Sequence, residues 1–234
     1  MVIIVLLPKE GGGHKPIGLF PSIIRIWMRA RALTAREWEE LTASPDLFGA
    51  TGMGAQRAAW AAAFSAESAA VQGQEHAAAP LDLVKAFEKI PRRQLVQAVR
   101  EHGFNLIVLR LSLAAYKFAR TIGVDGVFSE PVVANRGITV FSGFATTELR
   151  VLLTDLMFSL KKVWNVELKL YVDDLTIAAS GRPKTVIDTV AAATNDAVDY
   201  FQRLGLQVSA RKSLAVASRP TIRKRLAKKW PTKR

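Results

Sequence analysis

Two adjacent carboxylates, Asp173 and Asp174, sit in the run Leu170-Tyr-Val-Asp-Asp-Leu-Thr-Ile177. The apolar residues on both sides predict strand, tight turn and strand, with the acids at the bend. Like charges held side by side repel each other, and a cation relieves that repulsion. A ligand set made only of oxygen suits Mg²⁺ or Mn²⁺. Taken alone, the pair suits an ordinary polar turn equally well, because Asp is common in turns. A two-ion site needs a further carboxylate. Asp82 is the candidate, in Pro80-Leu-Asp-Leu-Val-Lys-Ala-Phe-Glu-Lys-Ile-Pro91, where it closes a short apolar stretch as an acid does at the end of a buried strand.

The elements that must position these acids are legible from periodicity and punctuation. Residues 1–20 predict a strand pair, with the apolar runs Val2–Leu7 and Ile17–Phe20 joined through Gly11, Gly12 and Gly13. Residues 22–41 predict one helix with Ile23, Ile24, Trp27 and Leu33 inward, and 47–54 a glycine-containing loop. The Ala-rich stretch Ala55–Ala79 predicts helix, anchored by Trp60 and Phe64. Pro91 opens a helix over Arg92–His102, with Leu95, Val96 and Val99 apolar, and Gly103 closes it. Leu149, Leu152, Leu153, Leu156 and Leu160 recur at helical spacing and are read as core. Val186, Val190, Ala193, Ala197, Phe201 and Leu204 trace a further amphipathic helix that ends near Gly205. The pattern is α+β: an antiparallel, palm-like sheet backed by helices, with helical and hairpin fingers.

Five segments, in order, carry a resemblance. They are Pro8-Lys-Glu-Gly-Gly-Gly-His-Lys-Pro-Ile-Gly-Leu19, Leu81-Asp-Leu-Val-Lys-Ala-Phe-Glu88, Arg136-Gly-Ile-Thr-Val-Phe-Ser-Gly-Phe-Ala-Thr-Thr-Glu-Leu149, Tyr171-Val-Asp-Asp174 and Gly205-Leu-Gln-Val-Ser-Ala-Arg-Lys-Ser213. Together they resemble the reverse transcriptases, nearest the non-LTR retrotransposon and group II intron types. The resemblance implies a right-hand polymerase with a fingers-like region (1–79), a palm-like catalytic region (80–218) and a basic C-terminal tail (219–234). It implies RNA template, DNA primer and deoxynucleoside triphosphates as partners, and two Mg²⁺ or Mn²⁺ ions held by Asp82 and Asp173 with Asp174 in support.

The resemblance also assigns roles to other residues. Phe87 stands where reverse transcriptases place an aromatic gate beneath the sugar, and Glu88 replaces the usual Asp. Tyr171 joins the nucleotide set. Lys212 matches a lysine that can protonate pyrophosphate. Lys9 and Lys15, around the glycine turn, can close over phosphates as point charges; Lys15 stands in place of the usual Arg, so bidentate geometry is lost. Ser142 and Gly143 occupy the template-positioning motif in a mixed form. Ser-Gly followed by Thr147 is the RNA-dependent RNA polymerase pattern, whereas Val151 departs from it and Glu148 replaces the usual Pro of reverse transcriptases. An RNA-dependent RNA polymerase, or a catalytically inactive nucleic-acid-binding remnant, are the alternatives.

Composition is compatible with this. Half the residues are hydrophobic, enough for a folded core, and the net charge of +13 suits a polyanionic partner. Arg219–Arg234 holds eight basic residues and no acid, including Arg223, Lys224, Arg225, Lys228 and Lys229, which are read as phosphate-backbone contacts or as a solvated end. Without Cys, disulfides and Cys-based zinc sites are excluded, and a reducing, intracellular location (nuclear or cytoplasmic) is expected. His14, His76 and His102 lack metal-ligand spacing. No stretch is apolar and long enough for a membrane span, and Met1–Leu7 lacks the features of a secretory leader. The family normally carries a thumb after the palm, and none is recognisable in the residues after Lys212, so a fragment, a truncated product or a degenerate copy is expected.

Overall fold

A computed structural model describes residues 1–10, 12–50 and 52–230. Strands β1 (Val2–Pro8) and β2 (His14–Leu19) precede helices α1 (Ser22–Ala30) and α2 (Ala32–Leu41). Strand β3 (Leu47–Phe48), helix α3 (Ala55–Val71) and strand β4 (Glu75–Leu81) come next. Helices α4 (Ala86–Lys89), α5 (Arg92–Glu101) and α6 (Leu106–Tyr116) lead into strands β5 (Arg120–Val124) and β6 (Val127–Phe128). Then follow helix α7 (Ala145–Val163), strands β7 (Glu167–Tyr171) and β8 (Asp174–Gly181), helix α8 (Pro183–Arg203), strand β9 (Val216–Ala217) and helix α9 (Pro220–Lys228). The fold is α+β, and each of its two compact units is built from two stretches of chain: 1–42 with 85–152, and 43–84 with 153 onward.

The first unit holds a four-stranded sheet in the order β2-β1-β5-β6. β1 and β2 form the expected antiparallel hairpin, from Ile3 opposite Leu19 to Pro8 opposite His14. Its tip includes Gly11, which lies outside the described residues. β1 also pairs in parallel with β5, Val2 opposite Arg120. The core gathers Leu95 and Val99 of α5, Val108, Leu109 and Tyr116 of α6, and Ile138, Phe144 and Leu149. Trp27 meets the Phe144 ring edge-on at 5.4 Å. The single helix expected over 22–41 is two. Arg31 (φ −101°, ψ 3°) ends α1, its N–H bonding to Trp27 O, and α2 restarts with a turned face. In consequence Met28, Ala35 and Trp38 are buried, whereas Ile23 and Leu33 are exposed.

The second unit holds a five-stranded sheet in the order β3-β7-β8-β4-β9. Pairing is antiparallel throughout except between β3 and β7. Side chains alternate between faces along each strand. Ala77, Ala79 and Leu81 of β4, Leu168 and Leu170 of β7, and Leu175 and Ile177 of β8 share one face, at most 2% exposed. α8 covers that face with Val186, Val190, Ala193, Ala197 and Phe201, as its apolar spacing predicts. α3 lies on the other face, where Ser65 Oγ donates to Glu167 Oε2 at 2.5 Å.

Two expectations fail in this unit. Trp60 and Phe64 do not anchor α3; they are about 70% exposed. The helix packs instead through its small residues Ala58, Ala62, Ser65 and Ala69, and that spacing turns both rings outward. Nor does the helix reach Ala79. Gly73 (φ +68°) caps it, with Gln74 N–H bonding to Ala69 O at 2.8 Å, and Glu75–Leu81 becomes the central strand β4. The tail is not merely a solvated end: Pro220–Lys228 forms α9, which buries Ile222 and Leu226. Residues 231–234 of the expected tail lie outside the described residues.

Candidate active site

β7 and β8 meet in a two-residue loop, Val172-Asp173, closed by the pair Tyr171–Asp174. Val172 takes φ +58°. A left-handed backbone is a genuine outlier for a β-branched residue, and such strain persists where surrounding structure imposes it, often at functional positions. Three of the four non-glycine residues with positive φ among those described lie within two positions of a sequence-predicted site residue: Lys85 by Phe87, Phe141 by Ser142, and Val172 by Asp173. The fourth, Asp125, belongs to the tight Asp125-Gly126 turn joining β5 and β6.

Asp82 directly follows β4. The β4–β8 register runs from Glu75 opposite Gly181 to Leu81 opposite Leu175, and its next step sets Asp82 opposite Asp174. By alternation both project from the face that also carries Pro80, Thr176 and Tyr171, not the face covered by α8. A strap from Gln207 to Leu214 holds the end of β4. Val84 N–H bonds to Gln207 O, Ser209 N–H to Asp82 O, Leu214 N–H to Pro80 O, and Asp82 N–H to Ser213 Oγ, at 2.7–3.1 Å. The strap delivers Lys212, whose Nζ lies 3.2 Å from Asp82 Oδ1 while the side chain stays 61% exposed.

The electrostatics follow from this crowding. Burial first, then the neighbouring Asp174 charge, hold the Asp173 carboxyl above its ordinary value, with Asp82 adding to the effect and Lys212 opposing it. Burial and Asp82 raise Asp174 in the same way, again against Lys212. Two half-buried carboxylates, Asp82 and Asp173, and the exposed Asp174, with one exposed ammonium beside them, leave an excess of negative charge. Oxygen-only donors in that state match hard divalent cations. The second unit thus brings together Asp82, Asp173, Asp174, Tyr171 and Lys212.

It also carries the basic residues of α9. Arg223, Lys224, Arg225 and Lys228 are exposed, and Lys229 pairs with Asp188 at 2.6 Å. Arg225, Lys228 and Lys229 line a cleft of about 350 Å³ with Lys184, Ile187 and Asp188 of α8.

The remaining nominated residues belong to the first unit. Lys9 and Lys15 are exposed on the β1–β2 hairpin, and Lys15 Nζ sits 5.6 Å from the centre of the Phe141 ring. Phe87, on α4, is half-buried, and its carbonyl accepts from Ile138 N–H at 2.8 Å. Gly143 N–H points to Met28 Sδ at 3.3 Å. Ser142 is buried, and Tyr116 Oη lies 2.8 Å from both Ser142 Oγ and Glu148 Oε2. Sequence reasoning missed Tyr116 and Glu148 as partners of Ser142. An acid at an apolar helix position was the available signal.

No curated protein matches this chain. Solved telomerases share its fold. Apo telomerase from Candida tropicalis aligns with a TM-score of 0.66 at 10% identity, over 93% of this chain and 44% of that one. Its form truncated from the C-terminal domain gives 0.59 at 11%, over 93% and 50%. Telomerase from Candida albicans, in complex with a fragment of telomeric RNA, gives 0.62 at 11%, over 94% and 43%. The chain spans half or less of the length of these proteins. The sequence profile described as reverse transcriptase (RNA-dependent DNA polymerase) matches residues 7–225. The chain therefore belongs to the reverse transcriptase family of nucleotidyltransferases.

Proposed function

We propose that this chain is the palm-and-fingers part of an RNA-directed DNA polymerase of the non-LTR retrotransposon or group II intron type. It would extend a DNA primer along an RNA template with deoxynucleoside triphosphates. The observation that best supports this is the juxtaposition of Asp82 and Asp174 across neighbouring strands, with Asp173 in the strained turn beside them. In the reaction, the primer 3′-hydroxyl releases its proton to solvent as its oxygen bonds to the α-phosphorus, the bond from that phosphorus to the oxygen bridging to the β-phosphate breaks, and pyrophosphate leaves. Asp82, Asp173 and Asp174 would hold two Mg²⁺ or Mn²⁺ ions. Such ions, when bound, activate the 3′-hydroxyl and stabilise the leaving group.

The chain's own groups do the rest. Lys212 balances the acids in the resting site, and its ammonium is our candidate for the proton given to pyrophosphate. Phe87 selects against the 2′-hydroxyl, Tyr171, Ser142 and Gly143 seat the nucleotide, and Lys9 and Lys15 contact its phosphates. Arg223, Lys224, Arg225, Lys228 and Lys229 contact nucleic-acid backbone, a role that suits their exposure on α9. The division into fingers-like 1–79, palm-like 80–218 and a basic tail is a division of roles. An intracellular site of action fits the absence of Cys.

Primer extension on an RNA template with Mg²⁺ tests this. Deoxynucleotide addition is expected, lost in Asp173→Asn, with ribonucleotides admitted by Phe87→Ala. Template binding without synthesis, the same in wild type and Asp173→Asn, would leave only a nucleic-acid-binding remnant.

A further inference from the structure

Glu148 has no part in the chemistry above, yet it is a carboxyl with no solvent exposure in the first turn of α7. The hydroxyl of Tyr116, itself wholly buried at the end of α6, lies 2.8 Å from Glu148 Oε2 and 2.8 Å from Ser142 Oγ. A tyrosine hydroxyl has one proton, so it donates to only one of the two. An ionised Glu148 only accepts; Tyr116 then donates to Oε2 and takes the proton of Ser142. A neutral Glu148 donates to Tyr116, Tyr116 donates to Ser142 Oγ, and the Ser142 proton is freed for another partner. The other neighbours of Ser142 are the Phe144 N–H at 3.4 Å and Met28 Sδ, a weak acceptor at 4.0 Å.

We propose that Glu148 is a positioning residue acting through Tyr116, its protonation deciding whether Ser142 offers a nucleotide a proton or a lone pair. This rests on the assignment of Ser142 to nucleotide seating made above. The surroundings favour a switch near neutrality. Glu148 Oε1 has no hydrogen-bond partner among the described residues, so an ionised group would leave a charged oxygen unsatisfied. Burial pushes the carboxyl up to about 7, against the hydrogen bond of Tyr116, which lowers it.

Charged groups on the packed elements are engaged elsewhere. Glu39 of α2 accepts from Thr147 Oγ1 at 2.6 Å, and Arg150 donates to the carbonyls of Glu39 and Thr42. Arg92 and Arg120 donate to the Tyr116 carbonyl rather than its hydroxyl.

Infrared titration of the whole chain between pH 5 and 9 reads the carboxyl directly. We expect a protonated-carboxyl band that fades with a midpoint near neutrality, is missing in Glu148→Gln and moves to higher pH in Tyr116→Phe. In primer extension, the KM for deoxynucleotide should change about 2–10-fold across the same midpoint, the scale of one hydrogen bond. It should be flat in Glu148→Gln, whose amide donates to Tyr116 as the neutral acid does, and flat in Ser142→Ala. A band that persists in Glu148→Gln, or a KM profile unaltered in both variants, overturns the proposal. A wild type inert at every pH overturns the polymerase assignment instead, and the infrared titration still decides whether Glu148 and Tyr116 are coupled.

Discussion

Gly137→Ala probes the lock between α4 and the segment that leads to Ser142. Gly137 has φ +78°, a conformation that costs an L residue roughly 1–2 kcal/mol. A Cβ there would lie 2.3 Å from the Glu88 carbonyl oxygen and 2.8 Å from its Cα. Both are backbone atoms, so the segment and α4 must separate, at the roughly 1–3 kcal/mol usual for overpacking. Separation weakens two 2.8 Å bonds, Gly137 N–H to Ile90 O and Ile138 N–H to Phe87 O, for about 1 kcal/mol more. The stiffer unfolded chain returns about 0.4–1 kcal/mol. The net loss is about 2–6 kcal/mol, the sum of those contributions.

Gly103→Ala is the control. It has φ +69° with nothing within 4 Å of the Cβ position, so it carries the backbone cost alone, about 1 kcal/mol net. Urea unfolding of both variants, followed by circular dichroism, should therefore show Gly137→Ala to be the more damaging by about 2–4 kcal/mol. Equal losses in the two variants would refute the lock.

The acids make a signed prediction. Raised carboxyls bind protons more tightly in the folded chain than in the unfolded one, so their contribution falls as pH rises above about 4, the unfolded value, and is unfavourable at pH 7. Asp173→Asn should raise the metal-free melting temperature at pH 7 while cutting primer extension at least about 10²-fold; a lowered midpoint would contradict the electrostatic account. Mg²⁺ at ten times its Kd should stabilise the wild type by about 1.4 kcal/mol and leave Asp82→Asn nearly unchanged; calorimetric scans with equal shifts in both would remove Asp82 from the ligand set. Replacing Arg225 and Lys228 together by Ala should shallow the log–log salt dependence of RNA binding by about 2, and an unchanged slope would clear α9 of backbone contacts. Val172→Gly should alter stability by less than about 1 kcal/mol, because relief of the left-handed strain offsets the added chain freedom; urea midpoints showing a loss beyond about 2 kcal/mol would mean that the Val172 side chain, not its backbone, sets the turn.

Local signals carried far into this fold. Alternation around Asp173 predicts the β7–β8 hairpin, and leucine spacing predicts the buried face of α7, because both periods are properties of a single element. The acids were legible from residue type, whereas their pairing depends on the register between β4 and β8, which no local pattern encodes. Aromatic bulk misled over Trp60 and Phe64, because α3 packs closely through Ala and Ser. β5 and β6 went unread although Asp125-Gly126 between two valines is a strong hairpin signal. Glu148 and Tyr116 lie in helices that meet only in the folded unit, so their link to Ser142 had no signature in spacing.

The parallel pairing of β1 with β5 has a kinetic consequence. Val2 waits for Arg120, about 120 residues later, before its open edge is covered. At synthesis rates of about 5–20 residues per second that interval is on the order of 6–24 s. Throughout it, the run Val2-Ile-Ile-Val-Leu-Leu7 presents an apolar strand whose only available partner is its own hairpin mate. In the second unit β4 waits about 100 residues for β8 and about 140 for β9. Neither unit can be completed in the order in which its residues emerge from the ribosome. Production of this protein should therefore depend on chaperone occupancy and translation speed more than its final stability would suggest.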